Sequence, residues 1–347
     1  MIRLPPVVSN CATWCRLLVL LLLAGCSGVP SYNTVLAPLP VAALHADDVF
    51  TMDDGARLPV RTWLPPAPTS TSTSPAPLAV VLALHGFNDS RDAWELPGPA
   101  FAAAGIALFA PDQRGFGAAP QRGFWPGAAA LESDAAAMLR ILHARYPGTP
   151  VFAMGESMGG AVLMALAASG HAPPVAGWVL LAPAVWGRAQ MDVALSSGLW
   201  LVSTLAPGLS VTGAEVPIHV VPTDNRDALL RLAHDPLTIR RTRFDALRGL
   251  TDLMDTAQAS APGLPARTLA LYGERDTLVP AEATGRAWEA MAPGVRRGLY
   301  RSGYHLLMRD RSRMAVIGDV IAWIDAPDAW LPSGADVAAG SWRSAHH

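Results

Sequence analysis

The hexapeptide Gly155-Glu156-Ser157-Met158-Gly159-Gly160 constrains this chain more than any other stretch. It lies where the apolar run Val151 to Met154 gives way to the small-residue helical pattern Ala161 to Ala168, which places the serine on a sharp turn between a strand and a helix. On such an elbow the backbone of the central residue is strained and its flanks are tight. Glycine at 155 and 159 relieves the crowding that larger side chains would cause.

The rest of the chain supplies the layers that an elbow of this kind needs. Ala79 to Leu84, Ala107 to Ala110, Val151 to Met154 and Trp178 to Leu181 are short, continuous apolar runs, as expected of parallel strands buried on both faces. Helical patterns at Ala129 to Arg145 and Met158 to Ala168 separate them. The strand pattern resumes at Thr268 to Tyr272 and Arg297 to Tyr300, with helices expected at Ala281 to Met291 and near Met308 to Ile324. Upstream, Val49 to Met52 and Leu58 to Trp63 flank Asp53-Asp54-Gly55, a hairpin signal, and Pro65 to Pro77 reads as a surface loop. The expectation is an α/β chain with a mostly parallel, doubly wound sheet built from residues 47–183 and 266–325. Between them the alternation stops, and short helices are expected at Ala194 to Leu205, Arg226 to Leu232 and Ile239 to Gln258. Residues 184–265 are therefore expected to form a helical cap over the carboxyl edge of the sheet, the alternative being an appendage that only packs on the core. The tail, residues 326–347, carries Trp330, Trp342 and His346-His347 with little periodicity.

Composition removes several function classes. A chain of 347 residues with 51% hydrophobic and 16% charged content suits a large core. Its net charge is -2 and no basic block occurs, which argues against a nucleic-acid partner. All 26 basic residues are arginine, so a Schiff-base lysine, a P-loop lysine and a Ser-Lys dyad are excluded.

At the amino terminus Arg3 and Arg16 precede the apolar run Leu17 to Leu23, which ends in Leu23-Ala24-Gly25-Cys26. The run is short for a permanent membrane helix and is followed by small residues. It resembles a bacterial lipoprotein signal peptide, with an ordinary secretory signal or a short membrane anchor as alternatives. The resemblance implies removal of residues 1–25, a lipid on the Cys26 thiol, and a Pro-rich tether over residues 26–46. It also implies a bacterial cell envelope location, and Ser27 after the cysteine fits an outer-membrane protein facing the periplasm. Cys11 and Cys15, the other two cysteines, fall in the signal, so the mature chain would hold no disulfide and no thiolate metal site.

A serine hydroxyl is a poor nucleophile at neutral pH. It needs a histidine to take its proton and a carboxylate to hold that imidazole in the right tautomer. In an elbow fold these follow in the order serine, acid, histidine. His305, in Gly303-Tyr304-His305-Leu306, follows the last expected strand and is the candidate base, whereas His85, His143, His171, His219 and His234 precede that position. The acid should leave the strand Thr268 to Tyr272, where Gly273-Glu274-Arg275-Asp276 stands. Asp276 is the candidate, Glu274 and Asp255 are competitors, and a carboxylate at this turn could instead cap the next helix. Two backbone donors should form an oxyanion hole, the amide of Met158 and that of Phe87 in His85-Gly86-Phe87-Asn88.

With Asp112-Gln113-Arg114-Gly115-Phe116-Gly117 and Val279-Pro280 added, these motifs stand in the order seen in α/β-hydrolases. From about Asp47 to Ile324 the chain most resembles the monoacylglycerol lipase and lysophospholipase group, related to the serine aminopeptidases. The resemblance implies the α/β-hydrolase fold, a triad of Ser157, Asp276 and His305, and neither a metal nor another cofactor. Gln113 replaces the family's usual histidine, and the cap is hard to align with any member. The implied reaction is hydrolysis of carboxylic esters of acyl lipids, with a monoacylglycerol or a lysophospholipid as substrate. Trp186, Trp200 and Leu201 are candidates for lining an apolar acyl tunnel, ordinary packing of the cap being the alternative. The same triad could serve an acyltransferase, or an aminopeptidase using Glu156, Asp192 or Asp224 to meet a substrate ammonium. A non-catalytic lipid carrier would have no use for three roles in the correct order.

Overall fold

Runs of apolar residues too short to be helices and buried from end to end organise the molecule. A computed structural model describes residues 49–66, 76–215 and 220–345. The expected signal, Cys26 and the expected tether, together with His219, His346 and His347, lie outside the described residues.

The chain begins with β1 (Val49–Thr51) and β2 (Arg57–Trp63), antiparallel around Asp53-Asp54-Gly55, where Gly55 adopts φ 81°. It continues through β3 (Ala79–Leu84), α1 (Gly98–Ala103), β4 (Ile106–Pro111), α2 (Ala128–Arg145), β5 (Val151–Glu156), α3 (Met158–Ala168) and β6 (Gly177–Leu181). An excursion follows: α4 (Val193–Leu205), β7 (Ser210–Thr212), α5 (Arg226–His234), β8 (Arg241–Arg243) and α6 (Phe244–Ser260). The chain then returns through β9 (Thr268–Gly273), α7 (Ala281–Ala290), β10 (Arg296–Tyr300), α8 (Arg313–Asp325) and α9 (Ala335–Ala345).

Eight strands form one sheet in the order β1-β2-β4-β3-β5-β6-β9-β10, parallel from β4 onward. Alternate residues of each central strand feed opposite faces. Val80, Leu82 and Leu84 pack with α2, α3 and α6, while Val81 and Ala83 pack with Phe101 of α1 and with Val316, Val320 and Trp323 of α8. Helices cover both faces, as an all-apolar parallel strand requires. This is the α/β-hydrolase arrangement expected from the motif order.

The excursion is tied to the loops that leave the carboxyl ends of the strands. Ile239 N donates to Asn88 O after β3 (2.9 Å), Val221 N to Thr277 Oγ1 after β9 (3.0 Å), and Leu306 N, after β10, to Pro222 O (2.8 Å). The helix expected from Ile239 begins instead at Phe244, because Arg241–Arg243 pairs antiparallel with Ser210–Thr212 as β8 against β7. A distant partner satisfies those backbone groups, a pairing that local periodicity does not reveal. The last core helix likewise starts at Arg313 and not near Met308, since residues 304–310 form a tight turn in which Tyr304 N donates to the Asp310 carboxylate (2.7 Å). Among the described residues no helix is long and apolar enough to cross a membrane.

The tail forms a helix. α9 packs along β10, covering the edge of the sheet, and buries Trp342 against Trp288 (ring centroids 5.4 Å, 78° between planes) and Tyr272 (6.1 Å). Trp330, just before it, is exposed. Replacing Trp342 with alanine removes a large buried side chain and should lower unfolding stability by about 3–5 kcal/mol, read as an earlier guanidinium midpoint.

Candidate active site

Ser157 sits at φ 53°, ψ -114°, a conformation that costs a non-glycine residue about 1–3 kcal/mol and persists only where its surroundings over-determine it. The surroundings here are backbone hydrogen bonds. Ser157 N donates to Leu181 O at the end of β6 (2.9 Å), and Ser157 O accepts from Ala184 N (3.0 Å) and Ala161 N (3.0 Å). The glycines allow the close approach this demands. A Cβ at Gly155 would lie 2.5 Å from the Gly159 carbonyl, and one at Gly159 would lie 2.3 Å from Leu84 O. Residue 86 in the loop after β3 lies against the serine, since a Cβ there would sit in van der Waals contact, 3.4 Å from Ser157 Cβ and 3.9 Å from its Oγ.

That loop is braced from below. Buried His85 accepts from Gln113 N at Nε2 (3.0 Å), so Nδ1 carries the proton and donates to Gly86 O (2.8 Å). The Gln113 side chain donates to His85 O (2.7 Å), so the residue that departs from the family's usual histidine still anchors the strand end. The Asp112 carboxylate before it gathers Arg91 N (2.7 Å), Ala118 N (2.8 Å) and the Arg91 guanidinium. Phe87 N and Met158 N donate to no other group among the described residues. Both are free to meet an oxyanion, and Met158 N also opens the amino-terminal turn of α3, where the helix dipole favours negative charge.

The structure brings Asp276 and His305 together. His305 Nδ1 donates to Asp276 Oδ2 at 2.7 Å, with both side chains buried. The other oxygen, Oδ1, accepts from Leu278 N (2.7 Å) and Val279 N (3.0 Å), which orients the carboxylate. Asp276 does not cap α7, whose N-cap is Pro280. Of its competitors, Glu274 is exposed and Asp255 pairs with Arg188 in the excursion. Glycines again set the spacing. A Cβ at Gly273, where β9 ends, would lie 2.5 Å from the Gly303 carbonyl, and Arg275 N donates to Gly303 O (2.9 Å).

Burial disfavours the His305 imidazolium, but the charge and hydrogen bond of Asp276, followed by the charge of Glu156, outweigh it and raise the pKa; Arg309 acts in the opposite direction. The neighbouring Asp310 carboxyl is pushed up to about 6, chiefly by burial.

The substrate candidates are placed differently from one another. Trp186 is half-buried against the core, with Nε1 donating to Gln190 O (3.2 Å). Trp200 and Leu201 stand on α4, 57% and 50% exposed, and are not enclosed. Sequence reasoning passed over Asp89 and Arg309, which with Glu156 form a buried ion cluster beside the site. The available signal was weak: Arg309 follows the apolar run Leu306-Leu307-Met308 but opens the charged run Arg309-Asp310-Arg311.

A family model described as serine aminopeptidase, S33, matches residues 75–312. The chain belongs to that family. It is similar to the monoacylglycerol lipase of Mycolicibacterium smegmatis, with 25% identity over 291 residues, 82% of this chain and 98% of the relative. It is similar also to human monoglyceride lipase, 25% identical over 286 residues, 78% and 88% of the two chains. A solved monoglyceride lipase of Saccharomyces cerevisiae shares the fold, with a TM-score of 0.68 at 18% identity over 83% of this chain and 98% of that one. The protein is thus a serine hydrolase of the α/β-hydrolase fold.

Because a Cβ at residue 159 would meet backbone and not a flexible side chain, Gly159→Ala should destabilise the protein by about 1–3 kcal/mol and displace the elbow. Thermal unfolding, together with the rate of fluorophosphonate labelling, would check this.

Proposed function

We propose that this serine hydrolase cleaves carboxylic esters of acyl lipids, with monoacylglycerols or lysophospholipids as substrates. Ser157 is the nucleophile, His305 the general base and acid, and Asp276 the group that orients it. The observation carrying this reading is the buried Asp276–His305 hydrogen bond, in a loop coupled electrostatically to the residue preceding the strained serine.

With Nδ1–H committed to Asp276, Nε2 of neutral His305 is the proton acceptor. As Ser157 Oγ attacks the acyl carbonyl, its proton passes to Nε2 and the imidazolium forms opposite the Asp276 carboxylate. The carbonyl oxygen becomes an oxyanion against the amides of Phe87 and Met158. Collapse breaks the ester C–O bond, and His305 returns the proton to the departing alcohol. Water then attacks the acyl-enzyme with His305 again as base, and the fatty acid leaves.

Three carboxylates could have served an aminopeptidase, and each is engaged elsewhere. Glu156 pairs with Arg309, Asp192 accepts from Ala194 N at the start of α4, and Asp224 accepts from Arg311 N. The relatives named monoacylglycerol and monoglyceride lipase favour an ester of glycerol. An apolar surface on the excursion fits a lipid interface: Val193, Leu195, Trp200, Leu201 and Leu205 of α4 are all exposed. We place the protein in the bacterial cell envelope, tethered through lipid on Cys26 at the outer membrane and facing the periplasm. The signal-like residues 1–25 and Ser27 support this. A tether of this kind would hold α4 near its substrate.

Two outcomes are expected. Wild-type protein should release fatty acid from monoacylglycerols and not amines from aminoacyl anilides, and Ser157→Ala should lose about 10⁴-fold or more in kcat. Equal activity in the two proteins would sink the assignment. Since catalysis needs neutral His305, activity should fall as pH drops through its raised pKa. The acid limb of kcat/KM should therefore inflect above the ordinary imidazole value of about 6.5. In Asp276→Asn the residual activity should show that limb at lower pH.

A further inference from the structure

The mechanism above leaves unused a cluster of three buried charges. Arg309 Nη2 donates to Asp89 Oδ2 and to Glu156 Oε2, each at 2.6 Å, and the three side chains are 7%, 9% and 3% exposed. Each residue belongs to a different active-site segment. Asp89 closes the turn that begins at Gly86 and carries Phe87, with its amide donating to Gly86 O (3.3 Å). Glu156 ends β5 and precedes Ser157. Arg309 follows His305 by four residues, and its backbone is fixed at both ends: its N–H donates to Leu306 O (2.8 Å) and its carbonyl accepts from Asn225 Nδ2 (2.9 Å).

Stability alone is a poor reason for such a cluster. Burying ions costs several kcal/mol each, and apolar side chains of the same volume often serve as well or better. Here two carboxylates share one cation, and Arg309 Nε faces no acceptor among the described residues. What apolar packing could not provide is a directional link between three loops. We propose that Arg309 is a positioning residue for the hydrolysis, its guanidinium holding the oxyanion loop, the serine elbow and the histidine loop in one register through Asp89 and Glu156. The inference rests on the serine ester hydrolase reading above.

The charged groups acting on the His305 ring are Asp276 from the loop after β9, Glu156 from β5, and Arg309 from its own loop. Glu156 favours the imidazolium and Arg309 disfavours it, whereas Asp89 is not among the groups that act on it most strongly. The cluster therefore carries an electrostatic signature that simple packing lacks. Removing the Glu156 charge leaves Arg309 less compensated and should ease loss of the His305 proton, whereas removing the Asp89 charge should not.

The test compares full-length wild type with Arg309→Met, Arg309→Lys, Glu156→Gln and Asp89→Asn. Hydrolysis of a p-nitrophenyl acyl ester is followed across pH, and fluorophosphonate labelling of Ser157 is measured alongside. Arg309→Met should lose about 30- to 100-fold in kcat with KM within about threefold, and Arg309→Lys should recover part of the loss. Glu156→Gln should move the acid limb of kcat/KM to lower pH, and Asp89→Asn should lower kcat with that limb in place. An Arg309→Met protein that melts cooperatively and keeps wild-type kcat would overturn the proposal, as would an unmoved limb in Glu156→Gln. Should Arg309→Met fail to fold, the two amide variants, which keep an acceptor for Arg309, decide by their limbs. Wild type that neither turns over ester nor takes up fluorophosphonate would overturn the hydrolase reading and this inference with it. Active wild type matched by Arg309→Met overturns this inference alone.

Discussion

The backbone of Ser157, held at a positive φ, is the constraint around which the rest of the molecule is arranged. A strained residue must be fixed from several directions at once. Here β6 supplies an acceptor for its N–H, the chain after β6 supplies a donor to its carbonyl, and α3 starts on its far side. These bonds require β5 to lie between β3 and β6 at the centre of the sheet, where strands are apolar on both faces. They also require backbones to pass at distances that exclude a Cβ, which is why Gly155 and Gly159 occupy their positions. The conformational cost is local, and two packed cores oppose it.

Around the elbow the structure gathers paired charges where the dielectric is low. His305 and Asp276 form one pair, Arg309 with Glu156 and Asp89 a second group, and both lie almost entirely out of solvent. In water these interactions would be weak. Buried, they can hold an imidazole in one tautomer and alter its proton affinity, which is what the proposed chemistry asks of them. The loops carrying these groups are joined to the excursion at Pro222, Asp224 and Asn225.

The sheet and the elbow were legible because they rest on local signals: continuous apolar runs, a switch of period from strand to helix, and glycines at close approaches. Asp276 and His305 could be located because each leaves the carboxyl end of a strand in a fixed chain order, and the structure places them 2.7 Å apart. What escaped depends on contacts distant in sequence. The start of α6 is set by pairing of Arg241–Arg243 with Ser210–Thr212, and the tail helix by the docking of Trp342 on Trp288 and Tyr272. Arg309 escaped for the same reason, since its partners lie 220 and 153 residues away. Trp200 and Leu201, candidates for an acyl tunnel or for ordinary packing of the cap, are exposed on α4, and sequence alone does not show on which side of a helix a side chain lies.

The most direct test of the proposed site is a crystal structure of the protein after reaction with a long-chain alkyl fluorophosphonate. The expected result is phosphorus bonded to Ser157 Oγ, with one phosphoryl oxygen about 2.7–3.1 Å from the amides of both Phe87 and Met158. His305 should keep its bond to Asp276 and turn Nε2 toward the adduct. Phosphorus on any other side chain, or a phosphoryl oxygen directed away from both amides, would contradict the assignment.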